Sequence, residues 1–147
     1  MEKPEFVYVT YIATTPAKLW KALIDGRTTK KYWQHENISD WKPGSPWEHR
    51  EFDRQRTLKL VGKVVEFKPP KRLVLTWADP ADRDREEKHS RVTIELKPMR
   101  GVVRLTVIHD RLERDPGMLQ GISEGWPIVL SSLKSLLEKG KPLPKLW

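Results

Sequence analysis

From Asn37 to Asp110 the apolar residues leave helical spacing and alternate with polar ones, and the chain does not return to a helical period in between. Successive strand side chains point to opposite faces, so this pattern builds a sheet with one covered face. The clearest segments are Arg91 to Lys97, with Val92, Ile94 and Leu96 on one side, and Val102 to Asp110, with Val103, Leu105, Val107 and His109 on one side. Leu73 to Ala78 groups Leu73, Leu75 and Trp77. Further strands are expected over Asn37 to Trp41, Pro46 to Phe52 and Thr57 to Phe67, parted by Lys42-Pro43-Gly44-Ser45 and Lys68-Pro69-Pro70-Lys71. The β-branched and aromatic run Phe6 to Ile12 adds a first strand. Seven such strands with short turns predict an antiparallel meander. Asp82 to Lys88 alternates in charge sign like a solvated loop, and the charged stretch Asp79 to His89 reads as a loop or a flexible hairpin end.

Helical spacing is confined to the flanks. Thr15 is suited to cap a helix that begins at Pro16, where a missing N–H costs nothing. That helix should run to about Ile24, burying Leu19, Trp20, Leu23 and Ile24, and stop at Asp25-Gly26. A short second helix is expected from about Thr28 to Trp33. The last element is predicted to start at an Asp115 cap with Pro116 behind it and to bury Met118, Ile122, Trp126, Val129, Leu133 and Leu136. Pro127 removes an internal hydrogen bond, so either this helix kinks or its regular part begins near Ser123; the kinked long helix is preferred. Gly140 and Pro142 stop it. A sheet of this size must curl, and the long final helix is the element able to cover its concave face.

The chain of 147 residues has the size of one domain and no Cys, which excludes disulfides, thiolate metal sites and cysteine nucleophiles. The N-terminal Met1-Glu2-Lys3-Pro4-Glu5 resembles no secretion signal, and no apolar run reaches membrane-spanning length, so a soluble, cytoplasmic protein is expected. The net charge of +8 invites a nucleic-acid or membrane partner, but the charges are mixed in sign and carry no recognised module; neither partner is expected.

Five segments resemble a known family. They are Ile12 to Leu23, Trp41-Lys42-Pro43-Gly44-Ser45, Pro69 to Leu73 with Thr76-Trp77, Val92 to Leu96, and Gly125-Trp126-Pro127 with Leu133 to Gly140. In this order they resemble the SRPBCC (START-like) superfamily, and within it the homologues of the heat-shock-protein-90 ATPase activator. The resemblance implies an α+β helix-grip (START/Bet v-like) fold: a curved seven-stranded antiparallel sheet around a long C-terminal helix, with two short helices after the first strand. Members include lipid and aromatic-ligand carriers, polyketide cyclases and co-chaperone domains. The co-chaperone also relies on a separate N-terminal domain, which this chain is too short to hold, so chaperone activation is not implied.

The candidate site is the space under the final helix. Trp33, Trp47, Trp77 and Trp126 are its aromatic candidates, with Leu75, Ile94 and Val107 as apolar lining, whereas Trp20 reads as core. These rings either line a pocket or fill the space between sheet and helix. His109 faces inward with Leu105 and Val107, as a hydrogen-bonded core group or as an orienting group for a ligand. His49 shares a face with Trp47 and Glu51; the inward face of that strand is not legible, and an exposed cross-strand pair is preferred over an acid–base pair. His35, His49, His89 and His109 lack metal-ligand spacing, so no metal and no cofactor are expected. Gly121-Ile122-Ser123-Glu124-Gly125 matches a nucleophile elbow, but no His follows Ser123, so it reads as helix N-terminal residues. Lys59, Arg91 and Arg104 should be solvated. Trp147 either packs back or reaches a second subunit.

The function expected first is a non-catalytic module for a small hydrophobic or aromatic molecule. His109 and the Trp77 indole N–H would orient it. A cyclase or aromatase using a His–carboxylate pair in the same cavity comes second, and a chaperone-associated interaction protein third. A homodimer is left open.

Overall fold

In the computed structural model, which describes residues 3–146, strands and helices fall in the order the pattern demands. They are β1 (Phe6–Ile12), α1 (Pro16–Ile24), α2 (Gly26–Trp33), β2 (His35–Ile38), β3 (Pro46–Glu51), β4 (Leu58–Lys68), β5 (Arg72–Trp77), β6 (Ser90–Pro98), β7 (Val103–Asp110) and α3 (Met118–Lys139). The seven strands form one antiparallel sheet in the order β1-β7-β6-β5-β4-β3-β2. Hairpin neighbours therefore pair in sequence from β2 to β7, and β1 closes the far edge against β7.

Register follows the alternation. Val92, Ile94 and Leu96 lie opposite His109, Val107 and Leu105, and Leu75 and Leu73 lie opposite Val92 and Ile94. All of these side chains are buried on the concave face. Irregular pairing at His49/Arg50 and at Val64/Glu66 breaks the ladder in β3 and β4. Bulges of this kind bend a strand and increase twist, which helps the sheet curl into a half-barrel.

α1 begins as its sequence dictates: the Thr15 side chain accepts from the Lys18 N–H. Asp25 ends α1 and caps α2, accepting from the Arg27 N–H at 3.0 Å. α2 thus starts two residues earlier than the spacing predicted, because Asp25 serves both helices. β2 also differs from expectation. It spans His35–Ile38 rather than Asn37 to Trp41, because Gln34 turns the chain out of α2 in a left-handed conformation and Trp41 takes φ 60°, which no strand tolerates.

α3 is continuous through Pro127, so the long-helix reading holds over a start near Ser123. It begins at Met118 rather than at an Asp115 cap; Gly117 precedes it with no side-chain cap. Ile122, Trp126, Val129, Leu130 and Leu133 are buried against the sheet. Its last turns are tied to β1: Lys134 donates to the Tyr11 carbonyl, and Glu138 accepts from the Ala13 N–H at 2.8 Å. The 79–89 segment is more ordered than a solvated loop. It holds two short 3₁₀ turns and buries His89, whose Nε2 lies 2.8 Å from the Asp82 carbonyl. Arg91 is paired, not free, and forms a two-point ion pair with Asp110. Trp147 lies outside the described residues.

Candidate functional site

The concave face collects rings because the strands deliver them there. Inward positions of β3 hold Trp47 and His49, the end of β5 holds Trp77, and β7 holds His109. α2 brings Trp33 and α3 brings Trp126 from above. Trp77 is the hub. Its ring centroid lies 5.1 Å from Trp47, 5.5 Å from Trp126, 5.7 Å from His109 and 6.4 Å from Trp33. Tilted and edge-on arrangements at these distances are favourable aromatic contacts. Leu75, Ile94 and Val107 are buried in the same cluster. The structure thus brings every named candidate together, and the rings largely fill the bowl with one another.

Three of the polar groups have settled roles. The Trp47 N–H donates to the Thr76 carbonyl at 2.7 Å. No side chain fits at Gly62 beside it, since a Cβ there would stand 1.9 Å from Thr76 O and 2.5 Å from Trp47 Nε1. Ser90 donates its hydroxyl to the Trp77 carbonyl at 3.0 Å, so its oxygen accepts from His109 Nε2 at 2.8 Å. His109 Nδ1 in turn accepts the Trp126 indole N–H at 3.3 Å. The network therefore assigns His109 the neutral tautomer with its proton on Nε2. Burial agrees, pushing this imidazole down to about 4 against the opposing pull of Asp110.

His49 is buried rather than in an exposed cross-strand pair. β3 turns it inward beside Trp47, where it packs 4.6 Å from Trp33. Its Nδ1 lies 2.6 Å from Asn37 Oδ1, and Asn37 donates its amide to the Leu23 carbonyl, so Nδ1 carries the proton. Burial, and then the neighbouring His35, push it down to about 3. Glu51 lies against His35 instead, at 3.7 Å. Among the described residues neither inward histidine thus has a carboxylate partner, so His49 and His109 form no His–carboxylate dyad there. Asn37 and Ser90 are lone polar strand residues with no spacing that marks them, and the spacing that argues against His35 as a metal ligand does not reveal its stacking on His49.

The Trp77 indole N–H is buried without a hydrogen-bond partner among the described residues, as is that of Trp20. Trp77 borders an opening of about 330 Å³ between the sheet and the start of α3, edged by Leu60, Asp79, Asp115, Met118 and Ile122. A larger cleft of about 630 Å³ lies between β2, β3, β4 and the 79–89 segment, and no α3 residue borders it. Some of its charged groups are paired, Glu48 with Arg50 and Arg83 and Glu86 with Lys63, whereas Asp40 and Asp84 border it without an ion pair among the described residues. Among the described residues, no three His, Asp or Glu side chains are grouped to hold a metal ion, and no helix is long and apolar enough to cross a membrane.

The sequence model of the family described as "Activator of Hsp90 ATPase homolog 1-like protein" matches residues 13–138. The chain belongs to this family. Solved structures agree on the fold of this Aha1-like domain. The solution structure of the Aha1 dimer from Colwellia psychrerythraea has 20% identity and a TM-score of 0.75, over 94% of this chain and 98% of that one. The crystal structure of CalU16 from Micromonospora echinospora has 17% identity and a TM-score of 0.71, over 92% of this chain and 77% of that one. DynU16, a protein of the dynemicin biosynthetic locus, has 18% identity and a TM-score of 0.72, over 94% of this chain and 48% of that one. No curated protein matches the Aha1-like chain. At these identities the likeness is one of fold.

Proposed function

We infer that this Aha1-like domain binds a small hydrophobic or aromatic molecule at the opening between α3 and the sheet. The observation that carries the reading is Trp77, which lines that opening and whose N–H is buried with no hydrogen-bond partner among the described residues. A buried donor left without an acceptor costs about 1–3 kcal/mol. A ligand that lays a ring on Trp77 and offers a carbonyl or hydroxyl oxygen removes that cost while burying its own apolar surface. Leu60, Met118 and Ile122 supply the apolar walls. The likeness to CalU16 and DynU16 is consistent with a small-molecule role for this fold. His109 acts as a fixed strut, since both its ring nitrogens are engaged.

The test is calorimetric titration with flat aromatic ketones and phenols, repeated on Trp77→Phe. The variant keeps a ring and removes the donor, so affinity should fall about tenfold for the loss of one hydrogen bond. Equal affinity in both proteins, or no binding and no thermal stabilisation by any aromatic probe, removes the reading.

The same proposal places the domain in the cytoplasm as a homodimer. A cysteine-free chain gains nothing from an oxidising compartment. The similar Aha1 structure is of a dimer, and the outer face of edge strand β1 leaves Val7, Val9 and Tyr11 exposed. A monomer mass by light scattering at high concentration removes the dimer.

A further inference from the structure

The sheet ends in two edge strands, β1 and β2. β2 is four residues long and reads His35-Glu36-Asn37-Ile38, a short polar edge of the kind that discourages pairing with another chain. β1 has no such protection: Phe6–Ile12 contains no charge, no Pro and no Gly. The ladder fixes which of its peptide groups are free. The Leu96 N–H donates to the Lys71 carbonyl, on the β5 side, so in β6 the peptide groups of even-numbered residues face β5 and those of odd-numbered residues face β7. Carried through the registers, β7 turns Val103, Leu105, Val107 and His109 to β1, and β1 turns Phe6, Tyr8, Thr10 and Ile12 to β7. The peptide groups of Val7, Val9 and Tyr11 therefore point off the sheet. Two contacts agree with this: Lys134 donates to the Tyr11 carbonyl, and Glu138 accepts from the Ala13 N–H. They cover the edge from 11 to 13. The peptide groups of Val7 and Val9 have no partner among the described residues, and the two side chains are 51% and 46% exposed.

We propose that β1 pairs antiparallel with β1 of a second copy of this chain, across a two-fold axis at Tyr8 that sets Val7 opposite Val9. The proposal rests on the homodimer inferred above and specifies how it is built. The free peptide groups of Val7 and Val9 then bond one another, and their exposed side chains lie side by side. Charge selects the register. With Val7 opposite Val9, Glu5 comes opposite Tyr11, where Lys134 of the second copy lies, and Lys3 comes opposite Ala13, where Glu138 of the second copy lies. Within its own chain Glu5 forms no ion pair among the described residues, and Lys3 reaches Glu113 only at 4.0 Å with 81% of its side chain exposed. A slip of two residues one way sets Glu5 against Glu138, and the other way sets Lys3 against Lys134. Like charges directly opposite one another are destabilising, so both slips are disfavoured. Slips of one residue fail for another reason, since they set free peptide groups against groups already used by β7.

The experiment begins with light scattering of the full chain, which should give the mass of two chains. Val7→Pro removes an N–H that the β1–β7 ladder does not use and places a ring at the edge. Its mass should fall to that of one chain, 17.3 kDa, with an unchanged circular dichroism spectrum. Cross-linking reads the register, because the chain has no Cys of its own. Opposed residues of such a pair have Cα atoms about 5.5 Å apart, within disulfide reach, whereas each valine lies diagonally from its own copy at about 7–8 Å. An oxidised equimolar mixture of Val7→Cys and Val9→Cys should therefore give a covalent dimer that neither variant gives alone. A dimer that persists in folded Val7→Pro, or a mixture that cross-links no more than the single variants, overturns the edge pairing and leaves the homodimer standing. If Val7→Pro does not fold, the cross-linking decides alone. A monomeric parent chain overturns both and leaves the edge to a strand of another protein.

Discussion

Trp126 donates its indole N–H to His109 Nδ1 at 3.3 Å, and this contact joins the closing helix to an inner strand of the sheet. It also decides which nitrogen of His109 can accept a second proton. Protonating Nδ1 would set two donors against each other in a buried site.

That arrangement makes the fold sensitive to acid. The ordinary histidine value is 6.5, and burial holds His109 near 4 and His49 near 3. Between those values and 6.5 the unfolded chain binds more protons than the folded one, so stability rises with pH. The contribution is complete above the ordinary value and is lost as pH falls through it toward 4. Each histidine should remove on the order of 2 kcal/mol by the bottom of this range. Urea midpoints measured from neutral pH downward should fall steeply, and the variant His49→Gln, His109→Gln should show a flatter profile. Parallel profiles would contradict the assignment.

Two indoles in the cluster predict responses of different size to the same change. Trp47→Phe loses a bond to the buried Thr76 carbonyl, whereas Trp77→Phe loses a donor that bonds nothing. Both lose similar ring area. Urea denaturation should therefore find Trp47→Phe less stable by about 1–2 kcal/mol than Trp77→Phe.

Gly62→Ala should be among the most damaging single-methyl changes in the chain. The new atom would overlap Thr76 O, a backbone atom held in the β5 ladder, and Trp47 Nε1. Relief requires β3 or β5 to shift. A loss of at least about 2 kcal/mol is expected from chemical denaturation, in the range for overpacked interiors.

At the other end of the bowl, Glu138→Ala should be mild globally and sharp locally. Glu138 is held below the usual carboxylate range first by Lys134 and then by the Ala13 N–H. An ion pair this exposed contributes less than about 1 kcal/mol. The Ala13 amide, however, loses its acceptor. Hydrogen exchange should accelerate at Ala13 while exchange in β6 and β7 stays unchanged.

The sequence makes the strands legible where one face is plainly apolar. β6 and β7 show it, because Val92, Ile94, Leu96, Val103, Leu105 and Val107 leave one register consistent with burial. The ends of α1 are legible for a local reason, since Thr15 and Pro16 act within one turn. β3 is different. Trp47-Glu48-His49-Arg50-Glu51 carries polar residues on both faces, so its orientation is decided by partners far along the chain, Asn37 for His49 and Thr76 for Trp47. The burial of His89 is not legible in the sequence, because it depends on a carbonyl inside a charged segment. The Trp cluster could be named from composition and face, but whether its rings enclose a space or fill it depends on tilt angles that no pattern encodes.

The helix that covers the indoles is synthesised after the whole sheet it covers. Until α3 has left the ribosome and docked on β1, a nascent chain carries its half-barrel uncovered, with Trp33, Trp47 and Trp77 lacking the Trp126 lid and the Lys134 and Glu138 latch. Uncovered apolar sheet of this kind is what self-association and folding helpers act on. The domain must therefore pass, at every synthesis, through a stage in which its own rings have yet to be enclosed.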